Sequence, residues 1–172
     1  MFNRFIASIL PYFPKKIIWI FSRAYISGET IEDAIIVSKA LNSKKIKVTI
    51  DVLGEFIKTL DEAEVNKKEY LELIDKSYKN QIDGNFSLKP TSFGLLIDKD
   101  ICFNHIREIV AKVAPLNGFI RIDMEDSPCT DLEIELFRKL KAEFPANVGL
   151  VLQAYLKRTS DDIKELLDLN SS

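Results

Sequence analysis

Phe119-Ile120-Arg121-Ile122-Asp123 is a run of β-forming residues that ends in a carboxylate and gives way to a helical stretch. Three other runs follow the same plan: Lys47-Val48-Thr49-Ile50-Asp51, Phe86-Ser87-Leu88-Lys89 and Val148-Gly149-Leu150-Val151-Leu152-Gln153. A strand buried on both faces has no structural need for a polar residue at its end. Strands of a parallel α/β barrel do, because their C-terminal ends line the active site. The strand ends fall at positions 51, 89, 123 and 153, giving repeats of 38, 34 and 30 residues. Strand and helix alternating at that spacing are parallel β/α units.

The chain therefore reads as α/β, a partial (β/α)8 TIM-type barrel: the first four β/α units, preceded by N-terminal helices. Residues 1–44 are assigned to those helices and residues 45–172 to the first half of the barrel, a single incomplete domain. A closed barrel needs about 250 residues. Val148-Gly149-Leu150-Val151-Leu152 is apolar on both faces, which suits the middle of a sheet; left unpaired it is a strong pairing site. The expectation is a half-barrel completed by more chain.

Side chains alternate along a strand. With Asp123 facing the barrel interior, Arg121 and Phe119 face in, as do Thr49 and Asp51, Ser87 and Lys89, and Val151 and Gln153. The outward sets (Val48 and Ile50, Phe86 and Leu88, Ile120 and Ile122, Leu150 and Leu152) are then uniformly apolar, as helix-facing positions should be. An inward arginine buried alone costs several kcal/mol, so Arg121 needs a partner. Strands one and three share layers in such a barrel, which predicts an ion pair with Asp51, or failing that with Glu55.

Working outward, Thr30 and Asp33 form a weak capping box that opens a helix over Ile31–Leu41. A long helix is predicted over about Leu60–Lys79, with Leu60, Ala63, Val65, Tyr70, Leu71, Ile74 and Tyr78 on its apolar side. The next runs from Asp98 to Val113, with Ile101, Ile106, Ile109 and Val110 as the buried stripe. Ser127 and Pro128 supply an N-cap and a first-turn proline for a helix reaching about Phe144, and Thr159 caps a last helix through Leu167. Lys89-Pro90 ends the second strand, because proline has no N–H for a ladder.

The 172 residues carry a net charge of −2, with 47% hydrophobic and 29% charged. That is enough for one domain with a real core. No basic block stands apart from acidic neighbours, which argues against nucleic acid as a partner. Cys102 and Cys129 lack metal-ligand spacing and read as reduced thiols on separate helices in a cytosolic-type compartment. Near the N-terminus, Phe5–Phe13 and Ile17–Phe21 are apolar but broken by Pro11, Pro14, Lys15 and Lys16. Neither reaches the roughly 20 apolar residues of a spanning helix. They read first as two helices packed on the domain and second as a membrane-surface contact.

Asp51-Val52-Leu53-Gly54-Glu55, Ser87-Leu88-Lys89-Pro90-Thr91, Arg121-Ile122-Asp123-Met124-Glu125-Asp126-Ser127 and Val151-Leu152-Gln153-Ala154-Tyr155-Leu156-Lys157-Arg158-Thr159 together resemble the proline dehydrogenases, in order and in spacing. Gly28-Glu29-Thr30 resembles their helix entry, so the similarity spans roughly residues 25–168. The match is to the short monofunctional bacterial type, N-terminal half only. The resemblance implies a (β/α)8 barrel carrying FAD that oxidises L-proline to 1-pyrroline-5-carboxylate by hydride transfer. It implies a membrane quinone as electron acceptor and a cytoplasmic protein, peripheral at the inner face of the membrane. It assigns Lys89 to the proline carboxylate, Asp123 to the active site, Met124 to a place against the flavin and Gln153 to a hydrogen bond with it. Hydride leaves proline more readily when the amine is neutral, so Asp123 needs a neighbouring cation, and an arginine beside it is expected.

The family's fifth strand with its arginine and Gly-containing run has no counterpart here. Nor do its threonine–histidine pair at the sixth strand and the arginine pair on its last helix. The resemblance therefore implies a chain that neither binds FAD tightly nor turns over proline alone, a fragment or truncated product. His105 reads as a surface or core residue and Lys157-Arg158 as a solvated loop. Asp123, Glu125 and Asp126 have spacing compatible with a divalent ion, though no metal is assigned. No Gly-x-Gly-x-x-Gly or P-loop run is present. Two competing readings are a metal- or phosphate-dependent barrel enzyme using Asp123 and Lys89 as an acid/base pair, and a non-catalytic half-barrel that assembles through its open edges.

Overall fold

The computed structural model describes Pro14 and residues 26–167. The segments Phe5–Phe13 and Ile17–Phe21 lie outside the described residues. Helix α1 (Ile31–Asn42) begins at a full capping box: Thr30 Oγ1 accepts the Asp33 N–H at 3.1 Å and the Asp33 carboxylate accepts the Thr30 N–H at 3.2 Å. The chain continues as β1 (Val48–Ile50), α2 (Leu60–Lys79), β2 (Gly84–Leu88), α3 (Lys99–Val113), β3 (Ile120–Ile122), α4 (Thr130–Glu143), β4 (Val148–Leu150) and α5 (Thr159–Leu167). Short 3-10 turns follow β2 (Pro90–Phe93) and α3 (Ala114–Leu116).

The strands form one parallel sheet in the order β1-β2-β3-β4. Each crossover helix thus advances the chain by one strand, the winding that a (β/α)8 barrel requires. Ladder bonds continue past the strand ends, from Asp123 N–H to the Leu88 carbonyl and from Val151 N–H to the Ile122 carbonyl, both at 2.9 Å. The residues just beyond β3 and β4 are therefore held in the ladder.

The outward strand residues Ile50, Phe86, Leu88, Ile120, Ile122 and Val148 are buried in one core with α2, α3 and α4. Burial of each such side chain stabilises the fold by about 1.5–3 kcal/mol. Tyr70 of α2 meets Phe93 edge to face, with centroids 5.4 Å apart. The alternation expected from sequence holds along β1, β2 and β3: Thr49, Asn85, Ser87, Arg121 and Asp123 lie on the opposite face from this core.

Several expectations are corrected. Val65 is exposed and Leu73 is buried in its stead, because the α2 stripe follows Ala63, Tyr70, Leu73, Ile74 and Ser77. Cys102, not Ile101, starts the buried stripe of α3. Ser127 and Pro128 do not open α4. They occupy a turn closed by Cys129 N–H on the Asp126 carbonyl at 2.8 Å, and the helix starts at Thr130 with no side-chain cap. Thr159 is the first residue of α5, and its hydroxyl donates to the Gln153 carbonyl at 2.6 Å. Both cysteines are buried and free. Burial pushes the Cys129 thiol up to about 11 and the Cys102 thiol further in the same direction. Among the described residues no helix is long and apolar enough to cross a membrane.

Candidate functional site

Asp51, Lys89 and Asp123 each follow the last residue of a strand, so the parallel ladder delivers them to one end of the sheet and one face of it. Lys89 Nζ lies 2.9 Å from Asp51 Oδ2. The other Asp51 oxygen faces the Tyr70 hydroxyl at 2.9 Å. That hydroxyl also faces the Ser87 carbonyl at 2.7 Å and accepts the Val52 N–H at 3.1 Å. A buried tyrosine needs partners for its hydroxyl, and here they are the Asp51 carboxylate and the backbone at the ends of β1 and β2. The sequence placed Tyr70 only on a helical stripe. A tyrosine where leucine would pack as well was the available signal.

Burial disfavours the Lys89 ammonium, but the Asp51 hydrogen bond and the charges of Asp51, Asp123 and Glu55 outweigh it, so its affinity for the proton is raised. Burial also pushes the Asp123 carboxyl above the usual range, and Asp51 adds to this. Lys89, Arg121 and the Ser87 hydroxyl pull in the other direction without cancelling it. The arginine expected beside Asp123 is thus Arg121, acting through its charge.

Arg121 does not make the ion pair expected of it. Its Nη2 donates to Thr49 Oγ1 at 2.9 Å, and Thr49 donates onward to Asn85 Oδ1 at 2.8 Å. The partner strand is β1, as the layer argument required, but the partner is a hydroxyl. Asp51 is already engaged by Lys89 and Tyr70, and among the described residues no Arg121 pair with Glu55 exists. Arg121 Nε is buried without a hydrogen-bond partner.

Gln153 lies beyond β4. Its Nε2 donates to the Met124 carbonyl at 3.0 Å, which ties the end of β4 to the loop after β3. Met124 itself is 6% exposed. The donor set suits a flavin in kind. Gln153 keeps its carboxamide oxygen and a second amide hydrogen, Arg121 keeps an unpaired N–H, and Met124 offers an apolar neighbour. Among the described residues no cluster of metal-ligating side chains forms, and Glu125 points its carboxylate at Thr91.

The other residues considered in the sequence are structural. His105 on α3 lies 3.4 Å from Glu64, away from the strand ends. Arg158 is not solvated alone but clamps Asp162 at 2.9 Å and Asp131 at 2.6 Å, joining α5 to the start of α4.

Comparison with known proteins gives a consistent family. A sequence model described as proline dehydrogenase matches residues 34–172. Proline dehydrogenase 1 of Bacillus subtilis subsp. natto is 35% identical over 148 residues, which cover 86% of this chain and 49% of that protein. A proline dehydrogenase of Deinococcus radiodurans is 36% identical over 155 residues, 88% of this chain and 50% of its own length. The chain spans about half the length of the curated relatives it matches. Among solved structures, proline utilization A from Bdellovibrio bacteriovorus, inactivated by N-propargylglycine, superposes with a TM-score of 0.81. The superposition covers 90% of this chain and 19% of that one, at 24% identity. Proline utilization A from Bradyrhizobium japonicum superposes with a TM-score of 0.67 at 21% identity. At these identities the structural likeness is one of fold.

Proposed function

The chain belongs to the proline dehydrogenase family, and we propose from that premise that it carries part of the substrate and flavin site of an FAD-dependent oxidation of L-proline to 1-pyrroline-5-carboxylate. The observation that carries the reading is that Lys89, Asp123 and Gln153 follow three adjacent parallel strands at one rim. Turnover is proposed for a closed eight-stranded barrel, of which these four strands are half.

In this reading Lys89 binds the proline carboxylate. Its ammonium has three donors, and Asp51 takes one of them while keeping the group charged and in place. Asp123 lies beside the amine end of the substrate. A free carboxylate there would hold the ring nitrogen as an ammonium and oppose loss of hydride from the adjacent carbon. Burial and the charges of Lys89 and Arg121 limit that effect. FAD, when bound, supplies the two-electron acceptor, with Met124, Gln153 and the unpaired Arg121 N–H as its contacts. The electrons pass on to a quinone, and the protein works in the cytoplasm, peripheral at the inner face of the membrane.

The test is reconstitution with FAD of a full-length form that carries all eight strands, followed by anaerobic addition of L-proline. Loss of the visible flavin absorbance, abolished in Lys89→Ala, supports the reading; flavin that binds and stays oxidised refutes it. A second reading, assembly without catalysis, draws on the unpaired outer edges of β1 and β4 in the described sheet. Elution at the monomer mass would remove it.

A further inference from the structure

Glu125 is buried to 9% exposure, yet none of the roles above uses its carboxylate. One oxygen accepts the Thr91 N–H at 2.9 Å and the other accepts the Thr91 hydroxyl at 2.5 Å. The same hydroxyl accepts the Phe56 N–H at 3.0 Å. At the other end, the Glu125 N–H donates to Oε1 of Glu133, a fully buried residue in the first turn of α4. A second strut runs parallel: Ser92 Oγ donates to the Gly54 carbonyl at 2.5 Å, and Asn66 of α2 donates to the Ser92 carbonyl at 2.8 Å.

Each link joins a different loop. Gly54 and Phe56 lie between β1 and α2, Thr91 and Ser92 between β2 and α3, and Glu125 between β3 and α4. All three loops leave the C-terminal ends of their strands. Thr91 is two residues past Lys89, and Glu125 is two past Asp123, so the carboxylate fixes the segments that carry both. Phe56 has φ 51, the left-handed region that bulky residues avoid. Such a conformation persists where surrounding bonds impose it, and the bond at its N–H is the Thr91 hydroxyl.

The direction of the bonds explains why a carboxylate is needed. Thr91 Oγ1 accepts the Phe56 N–H with one lone pair and donates its hydrogen to Glu125 Oε1. The Thr91 N–H points there too. Both groups are donors, and only a carboxylate accepts on both oxygens. A glutamine would turn an amine toward one of them, so that either the Thr91 N–H loses its acceptor or the Thr91 hydroxyl must accept and turn its hydrogen away.

We propose that Glu125 is a positioning residue of the Lys89–Asp123 site, acting through Thr91 and Phe56 to hold the loops after β1, β2 and β3 in register. The proposal rests on the reading of Lys89 and Asp123 as the proline site. It differs from simple loop stability, because it requires the electrostatics at Asp123 to depend on a bond made between Thr91 and Phe56.

The experiment uses the full chain and four forms: unsubstituted, Glu125→Gln, Thr91→Val and Thr91→Ser. In the unsubstituted protein the Phe56 amide is expected to be protected from hydrogen exchange although it lies in a loop. Exchange at an open-loop rate there overturns the proposal whatever the variants do. In Thr91→Val and Glu125→Gln, Phe56 exchange should rise about tenfold or more, the factor for loss of one hydrogen bond. The Asp123 carboxyl titration, read by carbon NMR, should move by about half a pH unit or more as its distances to Lys89 and Arg121 change. Thr91→Ser should restore both. Lower thermal stability with an unmoved Asp123 midpoint means a structural role only and overturns the proposal. L-proline titration of the same unsubstituted sample separates the two claims: a protected Phe56 with no response to proline refutes the proline reading and leaves the three-loop latch standing.

Discussion

Replacing Glu133 by glutamine should make this protein more stable at alkaline pH and leave it nearly unchanged in acid. Glu133 is fully buried; Oε1 accepts the Glu125 N–H at 3.1 Å and Oε2 has no hydrogen-bond partner. Burial raises its carboxyl from the usual 4.5 to about 7, with the charges of Glu125 and Asp126 adding to the effect and the Glu125 N–H opposing it. Between those two values the folded protein holds a proton that the unfolded chain has released. Stability from this group is therefore full below about pH 4.5 and declines as pH rises, until the loss is complete above about pH 7. A shift of that size corresponds to at most about 3 kcal/mol. Glutamine keeps the acceptor for Glu125 and has nothing to ionise. Urea unfolding of both forms at pH 5 and pH 8 measures the difference. The variant should gain about 2–3 kcal/mol on the unsubstituted protein between the two conditions. Parallel pH dependence in the two forms would refute the reasoning, since it would mean Glu133 titrates as an ordinary carboxyl.

Tyr70→Phe removes the hydroxyl shared by Val52, Asp51 and Ser87; leaving those groups unpaired should cost about 1–3 kcal/mol in urea unfolding. Gly84→Ala sets a Cβ 2.5 Å from the Val48 carbonyl oxygen across the β1–β2 pairing. Because that neighbour is backbone, the strands must part, and a fall in stability of about 1–3 kcal/mol is expected. Both thiols should resist a disulfide reagent at neutral pH until the protein is unfolded, since burial holds Cys102 and Cys129 in the protonated form; rapid reaction of native protein would contradict the burial.

The parts of this fold that were legible in the sequence are those set by local periodicity. Helix α2 runs over Leu60–Lys79, as its pattern predicts. The inward and outward sets of β1, β2 and β3 follow from a period of two and a single anchoring residue, Asp123. What was not legible depends on lateral packing. Which carboxylate meets Arg121 is decided by Lys89 and Tyr70 occupying Asp51 first, and nothing in strand parity reveals that competition. Ser127-Pro128 has the composition of a helix start, but the Asp126–Cys129 turn takes those residues first. Glu133 has the look of an ordinary acid in a first helical turn, and Glu125 that of a loop charge. Their burial, and the link from Glu125 to Thr91 across 34 positions, exists only once β2 and β3 are side by side. The site roles of Lys89, Asp123, Met124 and Gln153 came from resemblance to a family and not from periodicity.

The central claim is that the rim after β1, β2 and β3 recognises the carboxylate of proline through Lys89. Chemical-shift titration of the protein with L-proline, and in parallel with L-proline methyl ester, tests it most directly. The account predicts shifts centred on Lys89, Asp51 and Asp123 with the free acid and none there with the ester. Equal responses to the two ligands, or shifts confined to residues away from that rim, would contradict it.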